Sequence, residues 1–265
     1  MSAADLIDLV RRLGAPYGLE RSLKIITGAL VEDRFLISLH RSALGAAAAE
    51  KLLQMGCSLG MPPDFADPIA AAQADADVIH FGYEGGREHA TYKIYLEYAS
   101  RVRRAQAQNA GAPVLVHIAF KWVPGVPGRY AAARYSWLPC NDQNALVARL
   151  QTLVPAAEAP RALRCGLDLL SRCAGRSEPR QLFLMAVEEP GNPRRSYDLN
   201  VYQAELHLRD IADLVGAVAT EFAVPQSRVR ALLERSGALA LGHLSGGRGR
   251  DGEEFVTIYY GVEAH

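Results

Sequence analysis

From His89 to Tyr98 the chain alternates strictly, with Tyr92, Ile94, Leu96 and Tyr98 on one parity and Thr91, Lys93, Tyr95 and Glu97 on the other. A two-residue period predicts a β-strand with two unlike faces. The period recurs along the chain. Ile79, Phe81 and Tyr83 oppose His80, Gly82 and Glu84; Val114, Val116, Ile118, Phe120 and Trp122 oppose Leu115, His117, Ala119 and Lys121. Tyr135 and Trp137 oppose Arg134 and Ser136, which places Arg134 on the polar face. Tyr197, Leu199 and Val201 oppose Asp198, Asn200 and Tyr202, and Val256, Ile258, Tyr260 and Val262 oppose Phe255, Thr257, Tyr259 and Gly261.

Connectors rich in Gly, Pro or Asn separate these runs in pairs: YEGGREH, VPGVPGR, EEPGNPRRS and GGRGRDGEE. Each has the chemistry of a hairpin turn, so four hairpins are expected. Upstream, EDRFLISLH reads as a strand, and RSLKIITGAL fits either its partner strand or a helix. If it is a strand, the chain holds five strand pairs set off by helices. The helical stretches include RSALGAAAAEKLLQMG, SRVRRAQAQNAG, NDQNALVARLQTLV, PRALRCGLDLLSRCAG, LRDIADLVGAVATEFAV and PQSRVRALLERSG. Asn141 or Asp142 would cap the third, and Pro225 and Gly237 bracket the last.

The apolar strand faces need cover, which amphipathic helices supply. The polar faces are poor in Lys and Glu series and mix single charges with Tyr, His, Asn, Ser, Thr and Gly, a composition suited to a partly enclosed cavity. About ten antiparallel strands can close into a barrel wide enough to hold a ligand. The expected fold is therefore α+β: one domain over residues 1–265, an antiparallel barrel of repeated αββα units with helices outside and a polar lumen.

Composition narrows the partners. Twenty-nine Lys and Arg balance 29 Asp and Glu, so no overall field favours nucleic acid or acidic lipid. No apolar run approaches the ~18–20 residues of a membrane span, and MSAADLIDLVRRLG mixes charge and apolar residues at helical spacing, unlike a signal peptide. The cysteines, Cys57, Cys140, Cys165 and Cys173, form no C-x-x-C pair, which argues for reduced thiols in a cytoplasmic protein and against cysteine-bound zinc. His80, His117 and His243 all fall on the polar face, leaving a zinc enzyme as one reading, although no H-x-H or H-E-x-x-H spacing accompanies them. GGRGRDG lacks the Walker Lys-Ser/Thr and reads as a turn from which Arg248 and Arg250 could gate a cavity mouth. A non-catalytic barrel holding an amphiphile or peptide is a further alternative.

The helix–hairpin–helix order around a polar lumen resembles the αββα barrel of the soluble aromatic prenyltransferases. In the indole prenyltransferases of this fold, alternate strands carry cation-x-Tyr or amide-x-Tyr patterns that bind the allylic diphosphate and wall off the carbocation. Here KIY supplies Lys93 and Tyr95, NVY supplies Asn200 and Tyr202, and TIY supplies Thr257 and Tyr259. The strand with Arg134 keeps one cation and lacks the tyrosine common there. The resemblance implies a transferase that moves a dimethylallyl or geranyl group from its diphosphate to an aromatic small molecule or peptide side chain. Lys93, Lys121 and Arg134 would be its diphosphate cations, with Tyr95, Asn200, Tyr202 and Tyr259 as donors and cation shield. Glu84, Glu97 and Asp198 are the candidate bases. There is no D-D-x-x-D motif, so no protein-held metal and no required cofactor is expected; magnesium carried with the diphosphate is the one metal this reading admits.

Overall fold

The computed structural model describes residues 2–86 and 88–265. Its strands are β1 (Gly18–Ile26), β2 (Ala29–Val31), β3 (Arg34–His40), β4 (Val78–Glu84), β5 (Thr91–Glu97), β6 (Val114–Trp122), β7 (Tyr130–Trp137), β8 (Phe183–Glu188), β9 (Arg195–Asn200), β10 (Leu241–Arg248) and β11 (Glu254–Ala264). The helices are α1 (Ala3–Arg11), α2 (Ala48–Ser58), α3 (Ala66–Ala72), α4 (Ala99–Ala107), α5 (Gln143–Leu153), α6 (Pro160–Cys173), α7 (Ala212–Glu221) and α8 (Gln226–Ser236). RSLKIITGAL thus resolves as strand, within β1 and the short β2.

Ten of the eleven strands form a closed antiparallel barrel: each strand from β3 to β10 pairs with the next, β3 pairs with β1, and β11 returns to β1. The closing ladder runs from Gly18 opposite Ala264 to Ile25 opposite Val256. Three-residue β2 is a flap on the end of β1. The barrel and its outer helices are the architecture that the alternating pattern predicts.

Two buried clusters lie between barrel and helices. One joins α1, α2 and α3 to the outer faces of β3–β6, around Leu6, Leu52, Ile79, Ile94 and Trp122. The other joins α5–α8 to β8–β11 and β1, around Leu150, Leu169, Val215, Leu199 and Ile258. Local chemistry starts the helices: Ser2 and Asp5 form a capping box on α1, and the Asp142 side chain accepts from Ala145 N at the start of α5. The fully buried Tyr197 of β9 donates its hydroxyl to Ala162 O at 2.7 Å, pinning α6 to the sheet. A Cβ on Gly166 would lie 2.7 Å from that hydroxyl and 2.8 Å from Leu150 Cδ2. Gly166→Ala should therefore destabilise the protein, because overpacking costs about 1–3 kcal/mol, more than the roughly 1 kcal/mol alanine gains in a helix. The midpoint of urea unfolding reads this directly; an unchanged or higher midpoint would contradict the packing described.

Two strands depart from the sequence pattern. In β7 the face is reversed: Ala131, Ala133 and Tyr135 lie opposite Lys121, Ala119 and His117 of β6. Cross-strand partners share a face, so Tyr135 points into the lumen and Arg134, opposite Ile118 and Glu188, is exposed outside. In β6 a bulge between Leu115 and His117 lets Val116 as well as His117 reach the lumen. All four cysteines are free thiols, three of them buried. No helix of the described residues is long and apolar enough to cross a membrane.

Candidate functional site

The lumen has two chambers that meet at a waist. The first, of about 420 Å³, is cationic. Lys93 of β5 and Lys121 of β6 are directly opposite in register and both point inward. Like charges so placed repel, and each is answered by its own carboxylate. Glu84 lies 2.7 Å from Lys93, 3.3 Å from Lys24 and 3.4 Å from Arg34. Glu189, just beyond β8, lies 3.4 Å from Lys121 and 2.8 Å from Arg194, and also pairs with Arg250. Six cations therefore converge on two carboxylates. Gly82 makes room for this: a side chain there would meet Leu36 Cδ2 at 3.0 Å and Lys93 Cβ at 3.1 Å.

Burial raises the Glu84 carboxyl, but Arg34, Lys93 and Lys24 outweigh it and hold the group well below the usual range. Glu189 is likewise held at about 2, against burial, by Arg250, Lys121 and Arg194. Lys93 falls to about 8 because burial outweighs the attraction of Glu84. Lys121 falls well below its ordinary value through burial and the nearby Arg194, with Glu189 opposing. Arg34 is 6% exposed, and its Nε and Nη1 are buried without a protein partner among the described residues.

Tyr95, Tyr135 and Tyr259 line both chambers and form the waist. The rings of Tyr95 and Tyr135 meet edge-on at 5.8 Å, and the Lys121 ammonium lies 5.6 Å from the Tyr135 ring centre. Burial raises the hydroxyls of all three, so they are neutral donors.

The second chamber, of about 560 Å³, is lined by carboxylates and histidines with an apolar wall of Leu36, Val116, Phe183 and Met185. Helix α4 covers this end, contributing Val102, Arg103 and Gln106. His80 bridges Ser38 (Nδ1 to Oγ, 2.7 Å) and Glu97 (Nε2 to Oε2, 2.8 Å). Glu97 is held at about 2, against burial, by its bond to His80. Burial lowers His117 to about 4. His243 stacks on Tyr259 at 3.8 Å and contacts Asp198 at 2.9 Å and Glu20 at 3.3 Å, and Tyr202 donates its hydroxyl to Glu20.

Burial opposes the His243 charge, but Asp198 and Glu20 outweigh it and lift the imidazolium to about 10. With the folded value above an unfolded value of ~6.5, its stabilisation is whole below about pH 6.5 and is lost as the pH rises through about 10. His243→Gln should thus trail the parent most at low pH and converge on it by about pH 10; a gap that stays constant in pH-dependent unfolding would refute this.

The sequence candidates divide accordingly. Lys93, Lys121 and Glu84 lie in the cationic chamber, and Tyr95 and Tyr259 at the waist. Glu97, Asp198, Asn200 and Tyr202 lie in the second chamber, away from the lysines. Tyr202 is not on a strand: β9 ends at Asn200 and Tyr202 begins a 3₁₀ turn. Arg134 joins neither chamber. Alternation missed Lys24, Arg34, Glu189, Arg194 and Tyr135. Arg34 was within its reach, since Arg34, Leu36 and Ser38 oppose Phe35, Ile37 and Leu39.

No family model matches the chain, and no curated protein matches it. Solved structures share its fold. The prenyltransferase PriB, in ternary complex with L-tryptophan and dimethylallyl thiolodiphosphate, is similar over 92% of this chain and 79% of its own, at 16% identity and a TM-score of 0.60. The 5-dimethylallyl tryptophan synthase of Streptomyces coelicolor, in complex with DMASPP and Trp, is 16% identical over 91% of this chain and 78% of its own, with a TM-score of 0.61. The 6-dimethylallyltryptophan synthase of Micromonospora olivasterospora is 14% identical over 92% and 81%, with a TM-score of 0.59. The αββα barrel of the aromatic prenyltransferases is thus the fold of this chain.

Proposed function

We propose that the protein transfers a prenyl group, dimethylallyl or geranyl, from its diphosphate to an electron-rich aromatic acceptor, a small molecule or a peptide side chain. The observation that carries the reading is Arg34: a buried guanidinium whose Nε and Nη1 have no partner among the described residues, in a chamber it shares with Lys24, Lys93, Lys121, Arg194 and Arg250. Buried donors are ordinarily satisfied, and a diphosphate offers the acceptor oxygens these lack. With Arg129 beside the six paired cations, and Asp251, Glu253 and Glu254 lining the chamber besides Glu84 and Glu189, positive charge is still in surplus, which suits an anionic diphosphate leaving group.

In this reading the diphosphate binds in the cationic chamber and its allyl chain reaches the waist. Cleavage of the C–O bond leaves the electron pair on the diphosphate, where Lys93, Lys121, Arg34 and Arg194 stabilise it. Tyr95, Tyr135 and Tyr259 face the allylic cation with ring quadrupoles and hold off water. The acceptor ring in the second chamber attacks, a C–C bond forms, and the ring proton passes to Glu97 or Asp198. Glu84, held by three cations in the other chamber, is not assigned this role.

Calorimetric titration with dimethylallyl thiolodiphosphate, with and without magnesium, tests the reading. Saturable binding is expected. No binding under either condition would overturn it in favour of a non-catalytic ligand-binding barrel.

A further inference from the structure

Glu97 of β5 lies directly opposite His117 of β6, and His80 of β4 is opposite Tyr95, two residues from Glu97 on the same face. Register alone therefore gathers two imidazoles and a carboxylate from three adjacent barrel strands. Their nearest donor atoms all lie within 4.8 Å of one another. A tetrahedral ion with bonds of about 2.1 Å spaces its ligands by roughly 3.4 Å, a distance that side-chain rotation on a fixed backbone supplies.

Two details point beyond a chance cluster. His117 Nδ1 is buried with no protein partner among the described residues, although its imidazole faces His80 at 5.7 Å between ring centres. His80 already has the support a ligating histidine needs: Ser38 Oγ holds its Nδ1 at 2.7 Å, leaving Nε2 aimed into the cluster. A serine hydroxyl donates or accepts equally well. When Nε2 gives up its bond to Glu97, the proton can move to Nδ1 and the Ser38 contact survives. His243 is excluded for the converse reason, as both its nitrogens are engaged by Asp198 and Glu20.

We propose that His80, Glu97 and His117 bind a divalent first-row transition-metal ion, zinc foremost, with its open position facing the second chamber. Two imidazoles and one carboxylate are a ligand set for such an ion and not for magnesium or calcium. An open position there takes an anionic oxygen, and, on the reading of the chamber as the acceptor site, that oxygen is a phenolate or carboxylate of the acceptor. A Lewis acid at a phenolic oxygen favours the ionised, more electron-rich ring. The proton released after ring attack would then fall to Asp198, since Glu97 is committed.

The test uses the metal alone, so it is independent of prenyl transfer. Chelator-treated protein is titrated with Co2+ and followed by its visible ligand-field absorption, with Zn2+ as competitor and Mg2+ as control. One equivalent of Co2+ should bind, be displaced by Zn2+ and be indifferent to Mg2+. His117→Phe, which keeps the aromatic packing, should abolish the bands, and Ser38→Ala should weaken Co2+ about tenfold. Exposed His40→Gln should change nothing. Absent bands, or bands that persist in His117→Phe, overturn the site and leave Ser38, His80 and Glu97 as a metal-free hydrogen-bonded relay. If His117→Phe does not fold, Ser38→Ala decides: unchanged affinity overturns the site. Failure here leaves the thiolodiphosphate titration untouched, so the two readings fail separately.

Discussion

Lys93→Ala should weaken dimethylallyl thiolodiphosphate binding by about 10- to 100-fold, whereas Arg134→Ala should leave it unchanged. A hydrogen bond to a charged group contributes about 1.5–3 kcal/mol, and each 1.4 kcal/mol is a factor of about ten. The loss should sit at the upper end, because Glu84 would keep only Lys24 and Arg34 and present more uncompensated negative charge to the ligand. Lys93 also makes affinity depend on pH. Its ammonium titrates at about 8, so parent affinity should fall as the pH rises through that value, and Lys93→Arg should retain more of it. Titrations of the three variants at two pH values check both points. Equal affinity in parent and Lys93→Ala would remove Lys93 from the site, and a loss in Arg134→Ala would mean that the outer face takes part.

Glu189→Gln should lower the melting temperature, and inorganic diphosphate should restore much of the loss. Glu189 is 3% exposed and is the shared partner of Lys121, Arg194 and Arg250. Removing one member of a buried ion pair costs about 3–5 kcal/mol. The chamber opens to solvent beside Arg250, so about 2–3 kcal/mol is the expected part of that, or roughly 5–10 °C at this chain length. A polyanion that binds the folded state alone stabilises it by mass action, and it should do so more strongly in the variant, where three cations lack their carboxylate. Thermal unfolding with and without diphosphate reads both effects. An undisturbed melting temperature would mean that the three cations are adequately solvated without Glu189. Equal stabilisation of parent and variant would mean that the anion binds elsewhere.

Alternation made the barrel legible because each lumen strand from β4 to β6, and β9 and β11, keeps one face apolar enough to count. It failed at β7 for a chemical reason. Tyr135 and Trp137 are large aromatics of the kind that usually fills a core, yet the lumen waist is aromatic, so the hydrophobic parity was the inner one. Arg134, read as a lumen cation, consequently moved outside. NVY misled differently: a three-residue pattern assumes a continuing strand, and the strand ends at Asn200. Arg194 lies in a connector that composition marks only as a turn, and Glu189 just beyond its strand, so neither carries a periodic signal. The three histidines were drawn on the correct face. What the sequence did not show was which carboxylate each would meet, because that depends on register: Glu97 stands beside His80 and His117, while Asp198 and Glu20 engage His243.

The seam between β1 and β11 sets the order in which this molecule can be made. Its ladder is tied by Arg21 and Glu263, which are 242 positions apart in the chain. Contacts so distant form late, since the entropy of closing the intervening chain must be met first. On a ribosome adding about 5–20 residues per second, a nascent chain that has reached Arg250 carries all the Lys and Arg residues of the cationic chamber but no enclosure for them. Two bare strand edges remain until the last strand arrives, and such edges invite pairing with other chains. The final strand to emerge thus converts an aggregation-prone open sheet into a vessel, and the chamber comes into being in the same step that removes the hazard.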